Sequence, residues 1–302
     1  MFILVLNSSN VIQDGQNNKL VYNFPNSILF KDKYIAVSSV TMYYSWFNID
    51  SKYQNNIITY SWTSGAVTTV YTITIPNGLY NIADINFYIQ WTLINNNHYL
   101  VNAGGENVYA IELLVNENRY AIQLNTFLFP SALPVGWTNP AGVVFPTQPF
   151  NPVVVFPPSF SNLVGYPDNF TSNGNVNNAY VPPPATASNN YVTKNGAGTL
   201  SYLSNTSPNV QPNSSIFLAI TNINNPYSQP SSIIYSVTPT VGIGEQVIER
   251  PPNFMWNKMI DGTYNELRLV ILGIDKSPIQ LNDPNMTILL TIRDKDEIPS
   301  KL

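Results

Sequence analysis

The sequence predicts an all-β fold, a sandwich or jelly roll that carries one helix and a Pro/Asn-rich insertion. Three observations predict it. β-Favouring runs recur with turn residues at intervals of roughly ten residues. They do not alternate with helices, as a βαβ fold requires. Helical periodicity shows in one stretch alone, 72–95. The chain has 302 residues, enough to bury a substantial core without disulfides.

Phe2 to Leu6 reads as the first strand, cut at Asn7-Ser8-Ser9; it is too short for a membrane span and lacks the basic leader of a signal peptide. A turn at 14–18 precedes a second strand, Leu20 to Phe24, which Pro25 is expected to end. Along Tyr34 to Phe47 the apolar residues change parity, so a bulge or sheet switch is expected near Ser38-Ser39. Ile57 to Trp62 and Val67 to Ile75 form a hairpin around Thr63-Ser64-Gly65. The helix follows. Asn81 caps it, Asp84 sets a negative charge in its positive first turn, and Ile82, Ile85, Ile89 and Leu93 share one side that must pack against a sheet. Tyr99 to Val101, Val108 to Val115 and Tyr120 to Phe127 read as antiparallel strands.

From about Pro130 to Pro212, Pro-containing segments alternate with Asn/Gly-rich ones and no long periodic element survives. Its apolar content, including Trp137, Val153 to Phe156 and Phe160, suits an ordered insertion better than a linker. Strands return at Ser215 to Thr221, Ile233 to Thr238, Glu266 to Leu272 and Thr287 to Ile292. The charged tail Arg293 to Lys301 is expected to fray into solvent. The expected division is therefore a β domain of residues 1–125 and 214–302, with 126–213 as the insertion.

Composition narrows function. Charged residues make up 10% of the chain and aromatics 13%, with 19 tyrosines, against about 25% charged in a typical domain. Tyr, Asn, Ser and Thr are buried in a contact at lower desolvation cost than Lys or Glu, so the surface suits interfaces. A net charge of −4 with 13 basic residues and no basic run gives nucleic acid no footprint. The absence of cysteine removes thiolate chemistry and fits a protein made in a reducing cytosol.

Enzyme motifs are missing. His98 is the only histidine, so a histidine metal cluster is impossible; a helix end, where the imidazolium is favoured, is the simpler account of it. No Gly-x-Ser-x-Gly or phosphate-binding loop occurs. Glu106 with Glu112, or Glu245 with Glu249, could form a glycosidase pair, although Arg250 makes the second a surface ion pair. Asp283, or Asp294 with Asp296, lacks a calcium-loop pattern. We assign no catalytic, cofactor or metal residue. Trp46, Trp62 and Trp137 could stack on sugars or fill cores.

Several segments together resemble the vertex, or penton, proteins of virophages and Polinton-like viruses: FILVLNSSN, YIAVSSVTMYYSWFNI, IPNGLYNIADINFYI, FPPSFSNLVGYP at 156–167, and ELRLVILGIDKSPIQL with MTILLTIRD. The resemblance implies a single jelly roll and a structural capsid protein without enzymatic activity or cofactor. It further implies a homopentamer at the icosahedral fivefold vertices, contacting the major capsid protein, located in the virion and assembled in the host cytoplasm, without nucleic acid or membrane as partner. A carbohydrate- or receptor-binding jelly-roll module and a β-sandwich glycosidase remain the alternatives.

Overall fold

The computed structural model describes residues 1–173, 198–210, 213–242 and 244–295. The chain forms two compact units, one of residues 1–47 and 211–302, the other of residues 48–210. This moves the expected boundary at 125/126 upstream to 47/48. The second unit begins with the hairpin after Asn48, whose first strand, Ile57–Ser64, pairs with Val154 and Val155 of the expected insertion.

Strands β1 (Phe2–Asn7), β2 (Lys19–Phe30) and β3 (Lys33–Tyr43) lead into the second unit. It contains β4 (Ile57–Ser64), β5 (Val67–Thr74), helix α1 (Ile82–Asn95), β6 (Tyr99–Val101), β7 (Asn107–Tyr109), β8 (Ile111–Asn116) and β9 (Ala121–Thr126). β10 (Val154–Phe156), helix α2 (Pro158–Val164), β11 (Phe170–Thr171) and β12 (Leu200–Leu203) complete it. The chain returns as β13 (Ile216–Ile220), β14 (Ile233–Val237), β15 (Gln246–Glu249), β16 (Asn257–Lys258), β17 (Gly262–Leu272) and β18 (Met286–Asp294).

In the first unit eight strands pair as nested antiparallel couples: β1 with β18, β2 with β17, β3 with β15, and β13 with β14. Such nesting is one long ribbon folded back on itself. Two further pairings, β18 with β3 and β17 with β13, roll the ribbon into sheets of order β1-β18-β3-β15 and β14-β13-β17-β2. This is the strand order of a single jelly roll. The whole second unit sits in the connection from β3 to β13.

Side-chain alternation explains the core. Leu4, Leu6, Val40, Met42, Ile288, Leu290 and Ile292 are buried, and of the residues between them Val5, Thr41 and Leu289 face away, as the period of a strand requires, while Thr291 is covered as well. Leu289 pairs with Ser39 but Leu290 pairs with Val37, so Ser38 is the extra residue of the expected bulge. Its hydroxyl donates to the Leu289 carbonyl at 3.0 Å.

Two expectations are corrected here. β2 continues past Pro25, because its register with β17 skips between Asn23 and Ile28, where the proline's missing N–H is not needed. The tail does not fray from Arg293: Asp294 pairs with Lys33 at 2.6 Å and Arg293 lies over the Trp256 ring at 4.3 Å. The Lys33 hydrogen bond holds the Asp294 carboxyl below the usual carboxylate range. Residues 296–302 lie outside the described residues.

In the second unit, described residues form sheets of order β11-β10-β4-β5 and β12-β9-β8, with the small pair β6-β7. Helix α1 starts in a capping box, Asn81 Oδ1 accepting from the Asp84 amide at 2.9 Å and Asp84 returning the contact at 3.0 Å. Its four buried residues are Ile82, Ile85, Ile89 and Leu93, as expected. Asn86 ties it to β8 by accepting from the Leu113 amide at 2.8 Å.

A second helix, α2, was not expected. Pro158 opens it, and Gly165, at φ +80°, closes it in the left-handed region. An added Cβ at Gly165 would run into the Thr206 carbonyl oxygen, so only glycine fits. Around α2, Phe156, Phe160, Tyr166 and Phe170 form an aromatic cluster with ring separations of 4.4–5.4 Å along its successive contacts.

Tyr166 pins this cluster to β9 and β12. Its hydroxyl accepts from the Leu124 amide at 2.9 Å and faces the carbonyls of Ile122 and Tyr202 at 3.1 and 2.7 Å. Removing it would leave a buried amide unsatisfied. Tyr166→Phe is therefore expected to destabilise this unit by about 1–3 kcal/mol, read as a lower urea midpoint at unchanged slope.

Candidate functional site

The outward face of the β1-β18-β3-β15 sheet is the most distinctive surface of the first unit. It presents Ile3, Val5, Ser39, Thr41, Tyr43, Gln246, Ile248, Thr287 and Leu289, none of them charged; Arg293, of the same parity on β18, lies at one end over the Trp256 ring. Ile3 and Ile248 are each 57% exposed and Val5 is 45% exposed. Pairing sets these residues in rows: Val5 beside Leu289 beside Ser39, and Thr287 beside Thr41 beside Ile248. Neighbouring rows bring apolar side chains close enough to act as one patch.

At one end of this face lies a shallow depression of about 500 Å³, lined by Asn7, Ser8, Ser9, Thr41, Tyr43, Gln246, Asn285, Met286 and Thr287. Amide and hydroxyl groups dominate its lining. The face thus combines an apolar centre with a neutral polar margin, the composition of a contact surface without stranded charge.

The second unit presents uncharged surface of its own. Helix α1 turns Phe87 and Trp91, one helical turn apart, toward solvent at 70% and 46% exposure. Strand β5 ends its sheet among the described residues and carries exposed Val67 and Val70 but no charge or proline.

The glutamates weighed from sequence are each engaged in hydrogen bonds within the fold. Glu106 accepts from Asn102 in the β6–β7 turn at 2.9 Å, whereas Glu112 is buried and accepts from Asn125 at 3.0 Å. Asn125 continues into a buried ladder with Gln123, Asn116 and Ser201. Glu245 accepts from the Gly242 amide at 2.9 Å, and Glu249 from the Tyr235 hydroxyl at 2.8 Å. Burial first, and then the Glu249 contact, pushes the Tyr235 hydroxyl up to about 12. Asp283 closes a local turn on the Asn285 amide at 2.7 Å. Asp294 is taken by Lys33 and Asp296 lies outside the described residues. Among the described residues no three His, Asp or Glu side chains gather as a metal site would require.

Two of the three tryptophans weighed as sugar platforms, Trp46 and Trp62, are interior. Trp46 is buried against Tyr44, with rings 4.3 Å apart, and donates to the Asn213 carbonyl at 2.9 Å. Trp62 is buried in the second unit's core, and Trp137 is half-buried against it.

His98 corrects another expectation. It follows helix α1 as foreseen, but burial favours its neutral form and lowers its pKa to about 4. Its ring stacks on Trp62 at 4.3 Å, and the Tyr71 ring meets it edge-on at 4.6 Å.

The sequence reasoning missed Tyr43, Ile248 and the face they share. The signal was available in FILVLN, which is apolar at both strand parities: the odd positions Ile3 and Val5 have no place in the core that Leu4 and Leu6 enter.

No family model matches the chain, and no curated protein matches it. Among solved structures it is similar to the crystal structure of the mavirus penton protein, at 11% identity and a TM-score of 0.40, over 97% of this chain and 98% of that one. It is also similar to a chain in the cryo-EM structure of the Sputnik virophage, at 10% identity and a TM-score of 0.39, with 97% and 98% covered. The jelly-roll assignment rests on the strand order itself.

Proposed function

We propose that this chain is a structural protein of a viral shell, five copies of which close the icosahedral vertex and meet the major capsid protein around it. The observation that carries the reading is the charge-poor, partly apolar outward face of the β1-β18-β3-β15 sheet. The jelly-roll strand order and the sequence segments that resemble vertex proteins support it. Closure around a fivefold axis needs a heterologous interface, in which one face of a subunit meets a different face of the next. Stable obligate interfaces bury about 2,000 Å² or more, an extent that neutral Tyr, Asn, Thr and Ile surface can reach without leaving unpaired charge inside.

No catalytic step belongs to this reading, and its site of action is the virion. The carbohydrate alternative loses two of the stacking platforms weighed for it, since Trp46 and Trp62 are core residues. Electron microscopy of the full chain, alone and mixed with the shell protein, tests the proposal. Rings of five, formed alone or on the shell, are expected. A monomer under both conditions would overturn it.

A further inference from the structure

We propose that His98 is an acid-sensitive latch within the 48–210 unit: as a neutral imidazole it ties strand β4 to the end of helix α1 and the start of β6, and its protonation opens that join. The inference rests on the interior of this unit and is independent of the shell reading.

The hydrogen-bond inventory sets the protonation state. Asn96, at the C-terminal cap of α1, donates its side-chain amide to the Tyr60 hydroxyl oxygen at 3.0 Å. Tyr60 Oη lies 2.8 Å from His98 Nδ1. Among the described hydrogen bonds Nδ1 is the acceptor open to the Tyr60 hydroxyl proton, and a donating tyrosine places the imidazole proton on Nε2. The backbone completes the join, for the His98 amide donates to the Leu93 carbonyl at 2.8 Å. One relay therefore spans β4, the C-terminal cap of α1 and the residue just before β6.

A second proton on His98 would turn Nδ1 into a donor. The Tyr60 hydroxyl would then have to accept from both neighbours and find another acceptor for its own proton. Among the described residues, the titratable groups against the ring are the phenols of Tyr60 on β4 and Tyr71 on β5, with Tyr99 next in the chain. Neither β4, β5 nor the end of α1 brings a carboxylate to the ring to hold the cation. The Trp62 face and the helix C-terminus both favour an imidazolium. Burial opposes it and wins: His98 is 6% exposed, and its pKa falls from 6.5 to about 4.

The sign follows from linkage. A histidine whose folded pKa lies below its unfolded value stabilises the fold fully above pH 6.5. That contribution is lost as pH falls from 6.5 toward 4, because the open state binds the proton more readily. One proton taken up on opening makes the open fraction rise about tenfold per pH unit inside this window. As the only histidine, His98 dominates the upper part of the window, since free carboxyls titrate near 4.

The test uses the full chain. Its single imidazole gives one Cε1–H resonance, which is expected to titrate well below pH 6.5. Hydrogen exchange in 57–64 and 93–101, corrected for intrinsic rates, is expected to show opening that rises about tenfold per unit below pH 6.5. In His98→Gln, whose amide oxygen can still accept from Tyr60, this rise is expected to disappear. An imidazole midpoint near 6.5 in the folded chain, or the same acid response in His98→Gln, would overturn the proposal. Should His98→Gln fail to fold, the wild-type midpoint decides alone.

Discussion

Replacing Phe156 with alanine is expected to lower the stability of the 48–210 unit by about 3–5 kcal/mol. Phe156 is fully buried on β10, with Phe160, Tyr166 and Phe170 rings 5.1–5.4 Å away. Truncation removes its transfer free energy and leaves a cavity whose walls are themselves fixed. Phe160 is held by the α2 backbone, and Tyr166 by its contacts to Leu124, Ile122 and Tyr202. Those walls cannot collapse into the gap, which places the cost high in the range. Against a total stability of about 5–15 kcal/mol for a domain, such a loss leaves the unit close to unfolding. Urea denaturation followed by tryptophan fluorescence, with hydrogen exchange to localise the loss to 48–210, checks it. Phe156→Leu is expected to lose less, because most of the volume remains.

The second large effect concerns assembly rather than folding. Val5→Glu combined with Ile248→Glu places two carboxylates on the outward face of the β1-β18-β3-β15 sheet. Both positions are exposed in the single chain, so the fold should change by no more than about 0.5 kcal/mol per site. Covered by a neighbouring subunit, the same carboxylates would be buried without partners, at a cost of several kcal/mol. Each 1.4 kcal/mol is a factor of ten in association. Assembly of the variant is thus expected to weaken by about a hundredfold or more at unchanged melting temperature. Native mass measurement over a concentration series, beside a thermal melt, separates the two quantities.

How far these features were legible depends on their range along the chain. Local signals read well. Asn81, Asp84 and the four buried apolar residues of α1 encode a helix with its cap, and the parity change around Ser38 encodes the bulge. Helix α2 went unread because 158–164 is shorter than the window over which periodicity shows; Pro158 at its start and Gly165 at its end were the available marks. β15 was missed for a similar reason, being four residues long and ending in a glutamate.

Long-range features were harder. The pairing of Phe2 with Ile292 and of Lys19 with Val270 leaves no trace in local composition. The change of unit at 47/48 is also unmarked, since β-favouring, aromatic-rich sequence lies on both sides. The expected boundary fell at the compositional change near residue 126, which lies inside the second unit. The protonation state of His98 depended on Tyr60 and Trp62, contributed by a strand far earlier in the chain.

Hydroxyl-radical footprinting of the free and assembled chain tests the central claim most directly. If the outward face of the β1-β18-β3-β15 sheet is the surface that assembly covers, then Ile3, Val5, Tyr43 and Ile248 will lose labelling together when the shell or ring forms. Equal labelling of these four residues in the free and assembled states would contradict the account.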